Sequence, residues 1–183
     1  IFKEPTPSSI SLHPYTTIAD VGQQQYNIDF IQKNFQQLQY WKLKTENDDL
    51  GFTDHHFWAK LQLQNATAKE LHYYLETARP ITDLVEMYVV NDATGKITKA
   101  ISGDQLKYSE RSFQDRKTIF KIDIASNEKL TLYFHLKSDG EVIKMPMMLR
   151  TSEEFIGVAA KEELVFGIFY GILTTAAILY LFF

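Results

Sequence analysis

Apolar and polar residues alternate with a period of two through most of residues 56–150. The alternation is clearest at 57–63, 71–75, 85–89, 120–124 and 130–136, and a further apolar stretch covers 143–149. Because successive side chains of a strand point to opposite faces, each stretch predicts a strand with one buried face. Turn residues separate the stretches, as in Asn65-Ala66-Thr67 and Asp139-Gly140. Short alternating strands with regular turns predict an all-β fold, an antiparallel β-sandwich.

The N-terminal residues show a different pattern. Ile28, Ile31 and Phe35 are spaced for one face of a short helix over 28–35, with Asn27 as its N-cap. We expect the rest of residues 1–45 to be an extended segment that wraps the sandwich. Residues 44–54 are polar and predict a loop. The sandwich itself is assigned to residues 46–150.

Helical signals return at the C-terminal end. Thr151 and Glu154 fit a capping box, which predicts a juxtamembrane helix over 151–163. Residues 164–183 carry no charge and, as a helix, would span about 30 Å, the thickness of the hydrocarbon core. A buried helix of a soluble protein is the alternative, but such a helix usually keeps a polar stripe. We therefore predict a membrane helix at 164–183 and expect the chain to be part of a longer membrane protein.

Composition excludes several functions. The net charge is −4 with 23% charged residues, so a nucleic-acid partner is not expected. The chain has no cysteine, which excludes disulfides, thiolate metal sites and cysteine nucleophiles. It also lacks a phosphate loop, a nucleophile elbow and a dinucleotide fingerprint. We predict no cofactor and no enzymatic activity.

Three weaker chemical patterns occur in the sequence. The Asp54-His55-His56 run contains metal-ligating residue types, but neighbours on an extended chain point to opposite sides and do not readily meet one ion. Asn47-Asp48-Asp49 offers oxygen ligands without the spacing of a calcium loop. Glu76 and Glu86 could pair as the two carboxylates of a glycosidase, although exposed glutamates are usually only solvated. No metal site is predicted.

Aromatic and charged side chains occupy the strand positions opposite the predicted core. They are Trp58, Lys60, Glu76, Glu86, Tyr88, Tyr133, His135 and Lys137. Sugars are bound by aromatic rings that contact their C–H faces and by polar groups that contact their hydroxyls. We therefore predict a ligand-binding face of Trp58, Lys60, Glu76, Tyr88, Tyr133 and His135, with Arg111, Arg116 and Arg150 at its rim.

Two other interpretations of this face stay open. Its residues could be ordinary cross-strand pairs on a solvated sheet. Alternatively, the N-terminal segment 1–45 could cover the face and bury Trp58. The rim arginines could likewise form structural ion pairs with carboxylates.

Several short motifs occur in a characteristic order. They are Gly51-Phe52-Thr53 with Trp58, Lys60 and Asn65, then Arg79-Pro80-Ile81-Thr82-Asp83, Val85-Glu86-Met87-Tyr88, Gly103-Asp104, Ser109-Glu110-Arg111, Arg116, Leu132-Tyr133-Phe134 and Met145-Pro146-Met147-Met148-Leu149. In order and spacing these residues resemble the second type of extracellular domain of bacterial seven-transmembrane receptors with diverse intracellular signalling modules. Lys60 departs from the arginine that is usual there, and Thr82 from a usual aliphatic residue.

The resemblance implies a jelly-roll sandwich related to carbohydrate-binding modules, followed by the first of seven membrane helices. It implies a location in the bacterial inner membrane, with residues 1–163 in the periplasm. The expected function is a periplasmic sensor domain that binds a carbohydrate-like ligand and relays to a cytoplasmic output module, such as a histidine kinase or cyclase. The alternative is a protein interaction or dimerisation module, with a possible homodimer and no small ligand.

Overall fold

A computed structural model describes residues 1–44, 49–78 and 82–182. Within these residues the chain forms two β-sheets that pack as a sandwich, a small third sheet, and two α-helices. The strands are β1 (Ser9–Ser11), β2 (Thr17–Asp20), β3 (Tyr40–Lys42), β4 (Asp49–Phe52), β5 (His56–Gln64), β6 (Leu71–Ala78), β7 (Leu84–Asn91), β8 (Ile97–Ser102), β9 (Thr118–Ile124), β10 (Lys129–Lys137), β11 (Val142–Lys144) and β12 (Met148–Thr151). The helices are α1 (Ile28–Asn34) and α2 (Ser152–Phe182).

Antiparallel pairing connects the strands of both main sheets. The first sheet has the order β1-β12-β6-β9 and the second the order β3-β2-β5-β10-β7-β8, while β4 pairs with β11. The core lies between the two main sheets, and Leu75 and Phe120 of the first meet Leu61, Met87 and Phe134 of the second within it. The predicted antiparallel sandwich is therefore confirmed, while its jelly-roll connectivity stays a prediction.

Several strands lie where the sequence pattern predicted none. The first three strands, all within residues 1–45, are three or four residues long and join both main sheets. β4 lies in the polar stretch predicted as a loop. β8 carries its larger apolar residues, Ile97 and Ile101, on the outer side of the sheet and not on the core side. Strands of these kinds carry too little periodic signal to be found locally.

The stretch 143–149, predicted as a single strand, is divided into β11 and β12. Between them Met147 has a positive φ of 43°, and Pro146 has no N–H to donate to a ladder. The Met147 carbonyl accepts a hydrogen bond from Leu12 N at 2.8 Å instead. The chain therefore changes sheets at this point, with Met145 and Met147 buried in the core.

The helix predicted at 28–35 is present as α1, and the segments predicted as a juxtamembrane helix and a membrane helix form the single helix α2. Asn27 caps α1, since its Oδ1 accepts a hydrogen bond from Phe30 N at 2.9 Å. α2 is continuous over 31 residues, and Thr151 Oγ1 accepts from Glu154 N at 3.4 Å. The Thr151 N–H donates to Ser8 O, so its hydrogen bond goes to the sandwich and not to the Glu154 side chain. In the described part of the chain, α2 is the one helix long and apolar enough to cross a membrane.

The start of α2 packs on the outer side of the four-stranded sheet. The Phe155 ring stacks on Tyr74 of β6 at 4.5 Å between centroids, and Phe113 meets both rings edgewise or tilted. These contacts place the helix against the sandwich before it reaches its charge-free part. The sandwich and α2 are thus joined by side-chain packing in addition to the chain connection.

Candidate functional site

Five of the predicted site residues share the outer face of the six-stranded sheet. In one row the register places Trp58 beside His135, which lies beside Glu86. In the next row Lys60 lies beside Tyr133, which lies beside Tyr88. Residues paired directly across antiparallel strands point to the same side, so the alternation identified this part of the face correctly.

This face is covered by the N-terminal segment. Ile31 of α1 and Phe35 of the following 3₁₀ helix (Phe35–Gln37) pack onto Trp58 and Tyr133. Trp58 is 1% exposed as a result, and both Tyr133 and His135 are also buried. The prediction of an open face is therefore wrong for these three side chains, because amphipathic α1 buries its apolar side against them. The alternative in which residues 1–45 bury Trp58 describes the structure.

Glu76 and Arg111 do not belong to this face. Glu76 projects from β6 of the other sheet, where its Oε2 accepts from Arg150 Nη1 at 2.8 Å. Arg111 follows the 3₁₀ helix Tyr108–Glu110, and its Nη1 donates to Asp115 O at 2.9 Å. Placing them with Trp58 was wrong, because the period of a strand shows which side a residue takes and not which sheet it joins. Arg150 is engaged in an ion pair, as the structural alternative expected.

The rim prediction for Arg116 is also corrected. Its guanidinium forms an ion pair with Glu162 of α2 at 2.8 Å. The two glutamates considered as a glycosidase pair lie in different sheets, with Glu76 bound to Arg150 and Glu86 bound to Lys99 and His135. Each of these carboxylates is therefore paired with a separate cation, and the two glutamates do not face each other across one site.

A chain of polar groups runs across the same face next to Trp58. His56 Nδ1 lies 2.7 Å from His135 Nε2, and His135 Nδ1 lies 2.7 Å from Glu86 Oε2. Lys99 Nζ contacts the other Glu86 oxygen at 2.5 Å, and the Tyr88 hydroxyl donates to Glu86 Oε2 at 3.2 Å. Each of these contacts is of hydrogen-bond length, so the two imidazoles and the Glu86 carboxylate form one continuous chain.

The electrostatics of this polar chain follow from its burial and its pairing. The pKa of Glu86 is lowered from 4.5 to about 2, mainly by the hydrogen bond from His135 and also by Lys99, against the effect of burial. Burial lowers the pKa of His56, and the charges of His135 and Lys137 lower it again. Glu86 is therefore a carboxylate at neutral pH and His56 a neutral imidazole. Such an arrangement stabilises the covered face.

Trp58 completes this buried layer. Its ring stacks on His135 at 4.8 Å and on Tyr88 at 5.8 Å between centroids. Its Nε1 has no hydrogen-bond partner among the described residues. Trp58 is therefore a packing residue between α1 and the sheet in this structure.

An open groove lies beside the cover, and we call it the side groove. It encloses about 580 Å³, within the range of small-molecule sites. Its lining residues are Pro14, Tyr15, Thr17, Phe35, Gln36, Tyr40, Lys42, Lys60, Leu61 and Gln62. None of these lining side chains is a carboxylate, and two of them are ammonium groups. The groove is therefore positively charged and rich in aromatic and amide groups.

Lys60 connects the side groove to the covered face. Its Nζ lies 5.6 Å from the centre of the Phe35 ring and 5.4 Å from that of Tyr133. Burial lowers the pKa of this ammonium. Within the described residues Lys60 forms no ion pair with a carboxylate. Its charge is thus held by ring faces and remains available to a ligand.

Tyr15 and Tyr40 are the exposed aromatic residues of the side groove, at 62% and 43% exposure. Tyr40 stacks on Phe35 at 5.8 Å, and its hydroxyl donates to Gln36 Oε1 at 3.3 Å. These residues were absent from the predicted site because the N-terminal segment was treated as a wrapping element. The run Tyr40-Trp41-Lys42, aromatic residues beside a cation, was the signal in the sequence that could have identified them.

The residues considered for metal binding take separate partners. His55 Nδ1 lies 2.9 Å from an Asp20 oxygen, His56 contacts His135, and Asp54 accepts from Gln23 Nε2 at 2.7 Å. In residues 1–44, 49–78 and 82–182, no group of three or more histidine, aspartate or glutamate side chains is arranged to hold a metal ion. Asn47 and Asp48 of the considered calcium run lie outside the described residues.

Motif residues from two distant stretches meet near the start of β7. Asp104 N donates to Thr82 O at 3.1 Å, and a Cβ at Gly103 would lie 2.1 Å from Asp83 O. Burial and the neighbouring Asp83 carboxylate raise the pKa of Asp104. The glycine of this motif is thus required by close backbone packing. Arg79-Pro80-Ile81, which precede Thr82 and Asp83 in the other motif, lie outside the described residues.

One comparison with known proteins bears on this architecture. The family model described as 7TMR-DISM extracellular 2 matches residues 14–151, which include β2 to β12 and all residues of the side groove. No curated protein matches the chain. This match confirms the resemblance that the sequence motifs indicated. It ends at the residue before α2 begins. With a β-sandwich over the matched residues and a membrane-length helix directly after it, this chain belongs to the 7TMR-DISM extracellular 2 family, the extracellular domains of seven-transmembrane receptors.

Proposed function

We propose that this chain is the periplasmic ligand-sensing domain of a bacterial transmembrane receptor and that the side groove binds a carbohydrate-like ligand. The observation that carries the proposal is the pair of exposed tyrosines, Tyr15 and Tyr40, next to the ammonium groups of Lys42 and Lys60 in one open groove. Ring faces suit the C–H surfaces of a sugar, and ammonium and amide groups suit its oxygens.

The charge of the side groove narrows the ligand class. Lys42 and Lys60 line it without a carboxylate among the described lining residues. Gln36 and Gln62 add amide groups that can donate to hydroxyl or carboxylate oxygens. We therefore expect an acidic sugar, such as a uronic acid, to bind more tightly than its neutral counterpart.

Signal relay would use α2. The helix contacts the sandwich through Phe155 and is continuous to the end of the membrane-length segment. A ligand can shift this helix only if it binds one arrangement of sandwich and helix more tightly than another. The proposed target is a cytoplasmic output module of the histidine kinase or cyclase kind.

Calorimetric titration tests the ligand proposal. The full chain is titrated with neutral and uronic-acid oligosaccharides in a detergent without a sugar headgroup. Tyr40→Ala and Lys60→Met should each weaken binding by about threefold to tenfold, the loss expected for one aromatic or cation contact. Tyr108→Ala, which changes an exposed tyrosine outside the side groove, is the matched control. No heat from any sugar, or equal losses in all three variants, contradicts the proposal.

A second candidate function is pairing with another protein chain. β3 is an edge strand of the six-stranded sheet, and all three of its residues are exposed. An edge strand with Tyr40 and Trp41 can add a strand from a second copy. A sedimentation mass that doubles as the protein concentration rises, and that stays monomeric in Trp41→Lys, would favour pairing with a second copy. A constant monomer mass would exclude it.

A further inference from the structure

A second groove lies where the sandwich meets α2, and we call it the junction groove. It encloses about 460 Å³ and is lined by Arg116, Lys117, Lys161, Glu162, Val165 and Phe166. Three of these side chains are cations, one is a carboxylate and two are apolar. The groove therefore combines a net positive charge with an apolar wall.

The junction groove lies at the boundary of the membrane segment. Glu163 is the last charged residue of α2, and residues 164–182 would extend about 28 Å, close to the thickness of the hydrocarbon core. Val165 and Phe166 are exposed within the first turn of that charge-free part. In a membrane, the apolar wall of the groove meets acyl chains while its cations lie at headgroup level.

Side chains of the sandwich contact α2 at the start of its charge-free part. Arg116, in the loop between β8 and β9, donates to Glu162 Oε2 at 2.8 Å, and its guanidinium lies 4.9 Å from the Phe166 ring centre. Lys117 Nζ contacts the other Glu162 oxygen at 2.6 Å. Lys161 is exposed and forms no ion pair with the described residues. Two cations of the sandwich are thus paired with Glu162, while the third cation of the groove, Lys161, is not.

We propose that the junction groove binds the headgroup of an anionic phospholipid in the leaflet next to the sandwich. The phosphate would bridge Lys161 of α2 and Arg116 of the sandwich loop, with acyl chains along Val165 and Phe166. The complementary charge of the groove and its position at the start of the charge-free part of α2 both favour this occupant. Binding there would hold the loop and the helix together, independently of any ligand in the side groove.

The position of the small residues favours a lipid over a neighbouring helix at this place. Gly167 and Gly171 are five and nine residues from Glu162, which puts them about 140° and 180° around α2. A helix that packs closely on these glycines therefore contacts the opposite side of α2. Packing of that kind would leave the junction groove facing lipid.

Thermal unfolding in mixed micelles tests the proposal. The full chain is melted in a zwitterionic detergent containing phosphatidylcholine or an equal amount of phosphatidylglycerol, with tryptophan fluorescence as the signal. We expect phosphatidylglycerol to raise Tm by about 2–4 °C over phosphatidylcholine. Lys161→Gln should abolish this difference while leaving Tm in phosphatidylcholine unchanged, because Lys161 has no ion pair to lose.

Two controls make the result decisive. Lys96→Gln changes an exposed lysine in the β7–β8 turn, at the far end of β8 from the loop that carries Arg116, and should keep the full lipid effect. Soluble glycerol 3-phosphate should not reproduce it. Equal Tm in both lipids, a lipid effect that persists in Lys161→Gln, an equal loss in Lys96→Gln, or stabilisation by glycerol 3-phosphate alone would each overturn the proposal.

Discussion

The Glu86→Gln variant tests whether the polar chain of His56, His135 and Glu86 stabilises the sandwich. The pKa of Glu86 is lowered from 4.5 to about 2, first by its hydrogen bond from His135. Linkage converts that difference to about 3 kcal/mol of stability at pH 7. The Glu86 side chain is only 17% exposed, so solvent screening removes little of this value. Glutamine keeps the shape and one acceptor, and we expect a loss of about 2–3 kcal/mol.

The pH dependence identifies the cause of this loss. A carboxylate with a lowered pKa in the folded state contributes its stability above the unfolded value of 4.5, and this contribution disappears as the pH falls towards about 2. Wild type and Glu86→Gln should therefore differ most at pH 7 and converge in acid.

Thermal unfolding of the full chain in micelles measures this difference. At pH 7 the loss corresponds to a Tm lower by about 5–10 °C. Glu70→Gln, which changes an exposed glutamate, should leave Tm within about 1 °C. The reasoning is refuted if Glu86→Gln melts with the wild type at pH 7, or if their separation stays the same down to about pH 3.

Three further variants test the cover and the motif loop by the same unfolding measurement. Ile31→Ala should cost about 2–5 kcal/mol because Ile31 is fully buried in α1, whereas Ile31→Val should cost about 1. Gly103→Ala should prevent folding or cost more than about 3 kcal/mol, since its Cβ would overlap Asp83 O, whereas Gly95→Ala meets open space and should cost about 1. Asn27→Ala should cost about 1 kcal/mol through loss of the α1 cap, and Asn27→Ser should restore most of it.

The strong periodic signals in the sequence predicted the main strands well. β5, β6, β7, β9 and β10 each carry an apolar row that faces one core, so their local pattern and their final environment agree. The edge strand β8 was missed because its larger apolar residues, Ile97 and Ile101, face outward. The predicted strand 143–149 is interrupted at Met147, which has a left-handed backbone conformation. Alternation alone does not reveal such a conformation.

The candidate site was predicted less completely. The five residues from Trp58 to His135 that share the outer face were found, since directly paired strand positions point to one side. Glu76 was assigned to that face because periodicity does not state which sheet a strand enters. Arg111 was placed at its rim, but it lies in the loop after the 3₁₀ helix Tyr108–Glu110. Tyr15 and Tyr40 were missed because they come from the short N-terminal strands and turns beside the groove.

The sequence by itself determined the alternating strands, the capped helix at Asn27 and the charge-free helix after Glu163. These features depend on residues near one another in the chain, where period and capping act directly. Only the tertiary structure decided that α1 covers Trp58, that Lys60 opens into the side groove, and that Arg116 reaches α2. Each of these contacts joins distant parts of the chain, and their geometry is set by how the sheets and helices pack together.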